Sequence, residues 1–406
     1  MKTKITALML GTALALGMSA GAFAMDKNVK IGVLNDQSGL YADIAGPGSV
    51  VAAQMAVEDS GLTKKGWKIE VVAGDHQNKP DIGVNVVRQW IDVDKVDVVA
   101  DVPTSSVALA VSNIVKEKNA VFLNSGAGTS DLSNKACSPN TIHWTYDTYM
   151  LAHGTGSALT KSGGNTWFFL TADYAFGAAL ERDTTEAVTA LGGKVLGSVR
   201  HPLNTADFSS FLLQAQASKA KVIGLANAGG DTINAIKQAS EFGIVKGGQK
   251  LAGLLMFISD VHSLGLKVAH GLNMTETFYW DLNDGTRAFS KRFQERVKNK
   301  SMPTMVQAGV YSSLIHYFKT LDKMGGNPHD GAKVVAAMEA MPVEDALFGK
   351  GKIQPNGRNI HDAYLFEVKS PAESKGPWDY YKLVATIPAD QAFTPLDKST
   401  CPLLKK

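Results

Sequence analysis

At 406 residues, with 45% hydrophobic and 19% charged side chains and a formal net charge of +3, the chain is long enough for two cores and close to neutral. That balance gives no reason to expect nucleic acid or anionic lipid as a partner. The N-terminus bounds the compartment. Lys2 and Lys4 precede an apolar stretch over residues 5–18, and Ala22-Phe23-Ala24 closes it with an A-x-A cleavage pattern. This reads as a secretory signal peptide over residues 1–24. The apolar run falls short of the about 20 residues that a membrane span needs. No cysteine follows the cleavage site, so a lipid anchor is not expected either. Removing the signal peptide leaves 39 basic against 38 acidic residues. The two cysteines, Cys137 and Cys401, stand in Pro-flanked loop segments, and in an oxidising compartment a disulfide between them is expected.

Residues 29–34 read as a first strand, 46–59 as a helix, 67–73 as a second strand and 82–93 as a second helix, with Val86, Trp90 and Val93 toward the sheet. Two apolar, β-branched runs at 96–100 and 120–123 supply the next strands. Each is followed by a turn of small hydroxyl residues at a helix start: Thr104-Ser105-Ser106, then Ser125-Gly126-Ala127-Gly128-Thr129-Ser130. The pattern restarts after a joint at residues 140–149. Strands are predicted at 167–170, 194–199, 221–226 and 251–256, and helices at 174–191, 207–218, 231–242 and 260–270. Gly229-Gly230-Asp231 and Ser259-Asp260 read as N-terminal caps. Residues 275–280 lead back toward the first unit, and helices follow at 286–300, 304–324 and 330–341. Beyond Gly349, antiparallel strands are predicted at 351–353, 363–368 and 378–386. Strands alternating with helices predict an α/β fold of two doubly wound lobes. The expected partition is 26–145 plus 280–345 for the first lobe, 146–279 plus 346–386 for the second, and 387–406 for a tail.

Ligands of open α/β sheets bind at the carboxyl ends of the strands, where helix N-termini favour an anion. Two hydroxyl turns without Lys or Arg suit a carboxylate held by neutral donors. The plainer assignment of Ser105 and Thr129 is helix capping. No catalytic constellation stands out: there is no HExxH, GxSxG, Walker loop or Cys/His metal spacing. The first turn, Asn35-Asp36-Gln37-Ser38-Gly39, lacks the GxGxxG that lets a dinucleotide approach. Asp173, Asp231 and Asp260 precede or open helices, a capping role. No metal or cofactor is expected. An exported two-lobed chain without catalytic residues reads as a binding protein with a cleft.

From KIGVLNDQSGLYADIAGPG to the tail, the chain resembles the periplasmic solute-binding proteins of ABC importers, in the branched-chain amino-acid-binding group. Thr104-Ser105-Ser106, Ala127-Gly128-Thr129-Ser130-Asp131-Leu132 and Thr171-Ala172-Asp173-Tyr174-Ala175-Phe176-Gly177 carry the resemblance by their order and spacing. It implies a type I periplasmic-binding fold whose lobes close on a ligand like a hinge and then dock on an inner-membrane permease. It also implies that Ser105, Ala127 and Thr129 bind a ligand carboxylate, with Gly128 in the hydroxyl position if the turn is offset by one. Tyr174 maps onto the second-lobe tyrosine, and Tyr41, Asn227 and Phe257 complete the expected site. Trp144 and Trp280 are further candidate liners.

One departure is informative. Amino-acid binders of this group place an acidic residue after the second lobe's fourth strand, where this chain has Leu255-Met256-Phe257-Ile258-Ser259. A buried ammonium without a partner carries a desolvation cost of several kcal/mol. The expected ligand is therefore an aromatic acid or short keto acid rather than an amino acid, with Asp260 the one nearby acid that could compensate. A ligand-sensing receptor of the same fold and a true branched-chain amino-acid binder are the alternatives. An exported hydrolase would need residues that the sequence lacks. The chain is expected to act as a monomer in the periplasm.

Overall fold

The computed structural model describes residues 26–404, so the signal peptide expected over residues 1–24 lies outside it. The first lobe is a parallel sheet of β1 (Asn28–Asn35), β2 (Lys68–Asp75), β3 (Val98–Asp101), β4 (Val121–Asn124) and β5 (Thr141–His143), in the order β2-β1-β3-β4-β5. Its helices are α1 (Gly46–Ser60), α2 (Pro80–Asp92) and α3 (Ser105–Glu117). The apolar runs at residues 31–34, 98–100 and 121–123, within β1, β3 and β4, reflect burial on both faces. Ile31, Val33, Val98, Ala100, Val121 and Leu123 enter one core. Leu34, Val99 and Phe122 alternate onto the other, against Val107 and Val111 of α3. The period of two thus feeds two helical layers from one strand.

After β5 the chain crosses to the second lobe through residues 144–147. It then runs through α4 (Thr148–Leu151), a π-turn at Ala152–Gly156 and α5 (Ser157–Lys161). The second sheet holds β6 (Thr166–Ala172), β7 (Lys194–His201), β8 (Val222–Ala226) and β9 (Lys250–Gly253), all parallel, in the order β7-β6-β8-β9. Its helices are α6 (Ala175–Ala190), α7 (Ser209–Ala217), α8 (Gly230–Glu241), α9 (Ile258–Leu264) and α10 (Leu266–Ala269). After β10 (Asn273–Glu276) come α11 (Asp284–Arg296), α12 (Met305–Met324) and α13 (Gly331–Glu339), which complete the first lobe against α1 and β4. Thr304 donates to the carbonyl of Ile44 (2.6 Å) and Gln307 to that of Ala45 (3.0 Å), so the capping box of α12 also fixes the entry to α1.

Strands β11 (Val343–Asp345), β12 (Gly349–Ile353) and β13 (Asn359–Ile360) form a small antiparallel sheet, tied to β5 by a bridge between His143 and Arg358. They sit at the edge of the first lobe, whereas the expected partition gave residues 346–386 to the second. Strands β14 (Ala363–Val368) and β15 (Tyr381–Ile387) do join the second lobe, pairing antiparallel with β10. The tail, with α14 (Ala389–Ala392), returns to the first lobe. There Cys137 and Cys401 form a disulfide across 264 positions.

Several local expectations shift. β5 and the 148–161 segment carry no pattern strong enough to predict. The helix expected over 260–270 is two, broken at Gly265, whose φ of +73° leaves the helical region. Of the predicted caps, Gly229 is the N-cap of α8, whereas Ser259 lies inside α9. Asp231 accepts from the backbone N–H of Asn204 (3.1 Å) and Thr205 (2.8 Å), pinning a neighbouring loop rather than its own helix. Phe257 stands at the N-cap of α9, and Asp260 accepts its N–H at 3.0 Å.

Candidate functional site

In the order β2-β1-β3 the first sheet reverses between β1 and β3, and in β7-β6-β8 the second reverses between β6 and β8. Such switch points are where open α/β sheets bind ligands. The two face each other. Tyr41 and Ile44 follow β1, Pro103 follows β3, Tyr146 sits on the crossover after β5, and Tyr174 and Phe176 follow β6. Ala228 follows β8, and Leu255 and Phe257 follow β9. These nine residues line one interlobe cavity of about 10 Å³, room for roughly one water. None of the nine is charged.

The polar atoms here are phenols. Tyr41 Oη and Tyr174 Oη lie 2.7 Å apart across the cleft, and Tyr146 Oη donates to the carbonyl of Gly126 at 2.6 Å. Burial raises all three phenol pKa values, so each remains a neutral donor. Phe257 meets Tyr146 edge-on, with centroids 6.1 Å apart at 78°. Behind Pro103, Asp101 and Val102 adopt φ of +81° and +56°, an arrangement costing of the order of 1–3 kcal/mol per residue. The Asp101 carboxylate accepts from Asn35 Nδ2 (2.9 Å) and Ser125 Oγ (3.2 Å), tying together the ends of β1, β3 and β4. Burial raises its pKa to about 6.

The hydroxyl turns lie beside this cavity. Ser105 is the first residue of α3, and its Oγ accepts the N–H of Thr129 at 3.2 Å. The N-cap is Thr104, which makes no side-chain cap, so Ser105 bridges the two turns instead of capping. Thr129 does cap: its Oγ1 accepts from Asp131 N–H at 3.4 Å, at the start of the 3-10 turn Ser130–Ser133. The N–H of Ala127 donates to Asn124 Oδ1. A Cβ on Gly128 would fall 2.7 Å from Tyr146 and 2.8 Å from Phe176, so only glycine lets this turn approach the aromatic wall.

Of the expected liners, Tyr41, Tyr174 and Phe257 meet. Asn227 is elsewhere engaged, its Nδ2 with His201 Nε2 (3.1 Å) and its Oδ1 with Thr232 Oγ1 (2.7 Å). Trp144 is a core residue donating to Ser312, and Trp280 donates to the carbonyl of Trp378. Ile44, Pro103, Tyr146, Phe176, Ala228 and Leu255 were not anticipated; Phe176 lay inside a motif already singled out, and was the nearest to legible.

Ile44 also borders an outer gap between the lobes, about 460 Å³, lined by Ser38, Asp43, Asn204, Ser259 and Asp260 among others. A larger cavity of about 790 Å³ lies at the opposite ends of the strands, among Lys30, Lys68, Lys95, Lys118 and His329. It is remote from both switch points, and the geometry favours the cleft as the site. Among the described residues no group of His, Cys, Asp and Glu could hold a metal ion, and no helix is long and apolar enough to cross a membrane.

Residues 28–377 match the family model described as periplasmic binding protein. A periplasmic binding protein of Burkholderia mallei is 52% identical, with a TM-score of 0.90 over 93% of this chain and 100% of that one. A branched-chain amino-acid ABC transporter periplasmic ligand-binding protein of Burkholderia xenovorans LB400 is 40% identical, with a TM-score of 0.81 over 92% and 99%. A solute-binding protein of an ABC transporter from Rhodopseudomonas palustris BisB5, solved with 3,4-dihydroxybenzoic acid, is 25% identical, with a TM-score of 0.80 over 92% and 100%.

Proposed function

This chain belongs to the periplasmic binding protein family, and we propose that it captures a small carboxylate lacking an α-ammonium, an aromatic acid or short keto acid, between its lobes. One observation carries this reading: the nine residues that line the interlobe cavity include five aromatic rings and Pro103 but no carboxylate. An ammonium buried there would go unpaired, at a cost of several kcal/mol. Phenol hydroxyls, the Ser105 hydroxyl and the first-turn N–H groups of α3 and α6 are neutral donors suited to a carboxylate. The dihydroxybenzoate bound by the R. palustris relative has this chemistry.

The exported, monomeric protein hands its ligand to an inner-membrane ABC permease. Because the cavity holds about one water, entry of a ring requires the lobes to part and Tyr41 to leave Tyr174.

A second reading, an amino-acid binder, is favoured by the description of the 40% identical B. xenovorans protein. In that case Asp260, at the outer gap, is the carboxylate to receive the ammonium. Calorimetric titration of ligand-stripped protein separates the two. Phenylpyruvate is compared with phenylalanine, 2-oxoisocaproate with leucine, and 3,4-dihydroxybenzoate is included. The keto or aromatic acid of each pair is expected to bind at least tenfold more tightly, a difference of about 1.4 kcal/mol. Equal binding of the amino acid overturns the reading.

A further inference from the structure

The chain carries a buried cation that the cleft does not use. Arg358, just before β13, is 1% exposed. Its Nη1 donates to the carbonyl of Tyr146 (3.3 Å), and its Nη2 to the carbonyls of Thr145 and Trp144, the latter at 3.5 Å. Asn359 Nδ2 donates to the Trp144 carbonyl at 3.4 Å, and His361 Nε2 stands 3.1 Å from it. All these acceptors lie on the crossover between β5 and α4, whose residue Tyr146 lines the interlobe cavity.

A chain segment leaving a sheet has carbonyls that no ladder satisfies, and buried carbonyls need partners. The guanidinium is the side chain whose planar fork can serve several at once. Its charge faces Asp147 at 3.8 Å, and the same aspartate caps α4 by accepting the N–H of Met150 at 2.9 Å.

The other face of the guanidinium is covered by the tail. The Phe393 ring lies 4.0 Å from Arg358 Cζ, within the range of a cation–π contact. The tail is held by the Cys137–Cys401 disulfide and by Ser399 Oγ on the carbonyl of Ser133 (3.4 Å). Asn356 Nδ2 donates to that same carbonyl at 2.8 Å, so the approach to Arg358 and the tail share one anchor.

We propose that Arg358 is the positioning residue of the interlobe hinge. Its guanidinium fixes the path of residues 144–146, and with it the place of Tyr146 in the cleft. The disulfide-anchored tail is a strap that keeps water from the guanidinium. The inference does not depend on which ligand binds, and its test uses none.

Hydrogen exchange by mass spectrometry is followed on the mature protein and on Arg358→Met, Arg358→Lys and Phe393→Leu, with α2, remote from the crossover, as internal reference. Small-angle scattering is measured alongside. In Arg358→Met the amides of residues 144–150 are expected to exchange at least about tenfold faster, the factor that loss of one charge-assisted hydrogen bond corresponds to, while α2 is unchanged. Arg358→Lys, a point charge with no fork, falls between. Phe393→Leu and reduction of the disulfide by a phosphine each reproduce part of the effect. The distribution of radii of gyration broadens in parallel. Should Arg358→Met fail to fold, Arg358→Lys and Phe393→Leu decide the matter. Exchange at 144–150 that stays unchanged in both, or rises equally throughout the first lobe, overturns the proposal.

Discussion

The phenol oxygens of Tyr41 and Tyr174 stand 2.7 Å apart, the first rooted after β1 and the second just before α6. This bond joins the two lobes directly across the candidate site. A neutral hydrogen bond contributes about 0.5–1.5 kcal/mol net, and a buried polar group stripped of its partner loses about 1–3 kcal/mol. Tyr41→Phe is therefore expected to shift the ligand-free protein toward open forms by roughly 5- to 150-fold. Tyr41→Phe/Tyr174→Phe, which leaves no orphan, is expected to shift it less than the sum of the single changes. Small-angle scattering of the ligand-free variants measures the shift. Additive effects would show that the two hydroxyls are not coupled.

Ser105 Oγ accepts the N–H of Thr129, and its own O–H hydrogen remains to be donated to an anion. Hydrogen bonds to charged groups are worth about 1.5–3 kcal/mol. Ser105→Ala is expected to weaken binding of 3,4-dihydroxybenzoate, or of whichever keto acid binds in calorimetry, about tenfold or more. The unfolding midpoint should change little. Retained affinity would remove Ser105 from the site.

Asp260 is buried, and burial together with the nearby charge of Asp43 pushes its carboxyl up to about 7 from an ordinary 3.8, against the opposing N–H of Phe257. The folded protein thus holds this proton more firmly than the unfolded chain. The group's contribution to stability is fully present below about pH 4, is lost as pH rises toward 7, and stays low above that. Asp260→Asn keeps an oxygen for the Phe257 N–H but carries no charge. Its stability relative to the unsubstituted protein is expected to rise between pH 5 and pH 8 by of the order of 2 kcal/mol. Urea unfolding at both pH values tests this; a constant or reversed difference would show that Asp260 stays ionised without penalty.

The Cys137–Cys401 disulfide closes a loop of 264 positions. In the chain-entropy model such a loop restricts the unfolded state by roughly 5 kcal/mol, less any strain. Thiol titration of the unfolded, unreduced protein should find no free thiol. Cys137→Ala/Cys401→Ala should lower unfolding stability by up to that amount while leaving the sheets intact by circular dichroism.

Much of this architecture is legible in residues 28–124, where apolar runs and helical spacing alternate at short range. The same signals fail where structure is short or tertiary. β5 is three residues, Thr141–His143, and is held by pairing with β4 that no local pattern announces. Tyr41, Tyr174 and Phe257 could be placed because each follows a strand that faces the cleft. Tyr146 could not, since it rides on a crossover between lobes. Trp144, two residues earlier, points into the core toward Ser312, and nothing local distinguishes it from a cleft liner. Nothing local marks Arg358 as buried; its bridge to His143 of β5 is a tertiary contact. Of the two buried aspartates, Asp260 caps its own helix by accepting the N–H of Phe257 three residues earlier, whereas Asp231 bonds Asn204 and Thr205, which only tertiary packing brings within reach.

The covalent link between residues 137 and 401 also decides how the molecule would carry a load. Tension applied at the two chain ends passes from the early first lobe through the sulfur atoms to the last few residues. Everything enclosed, including β6 to β9 and all four passages between the lobes, is bypassed. With an extended residue spanning about 3.3–3.6 Å, roughly 900 Å of contour is withheld from extension. A pulled molecule could lengthen only by peeling β1 to β4 from the first sheet. The second lobe would stay folded, hanging from the taut chain as a side loop.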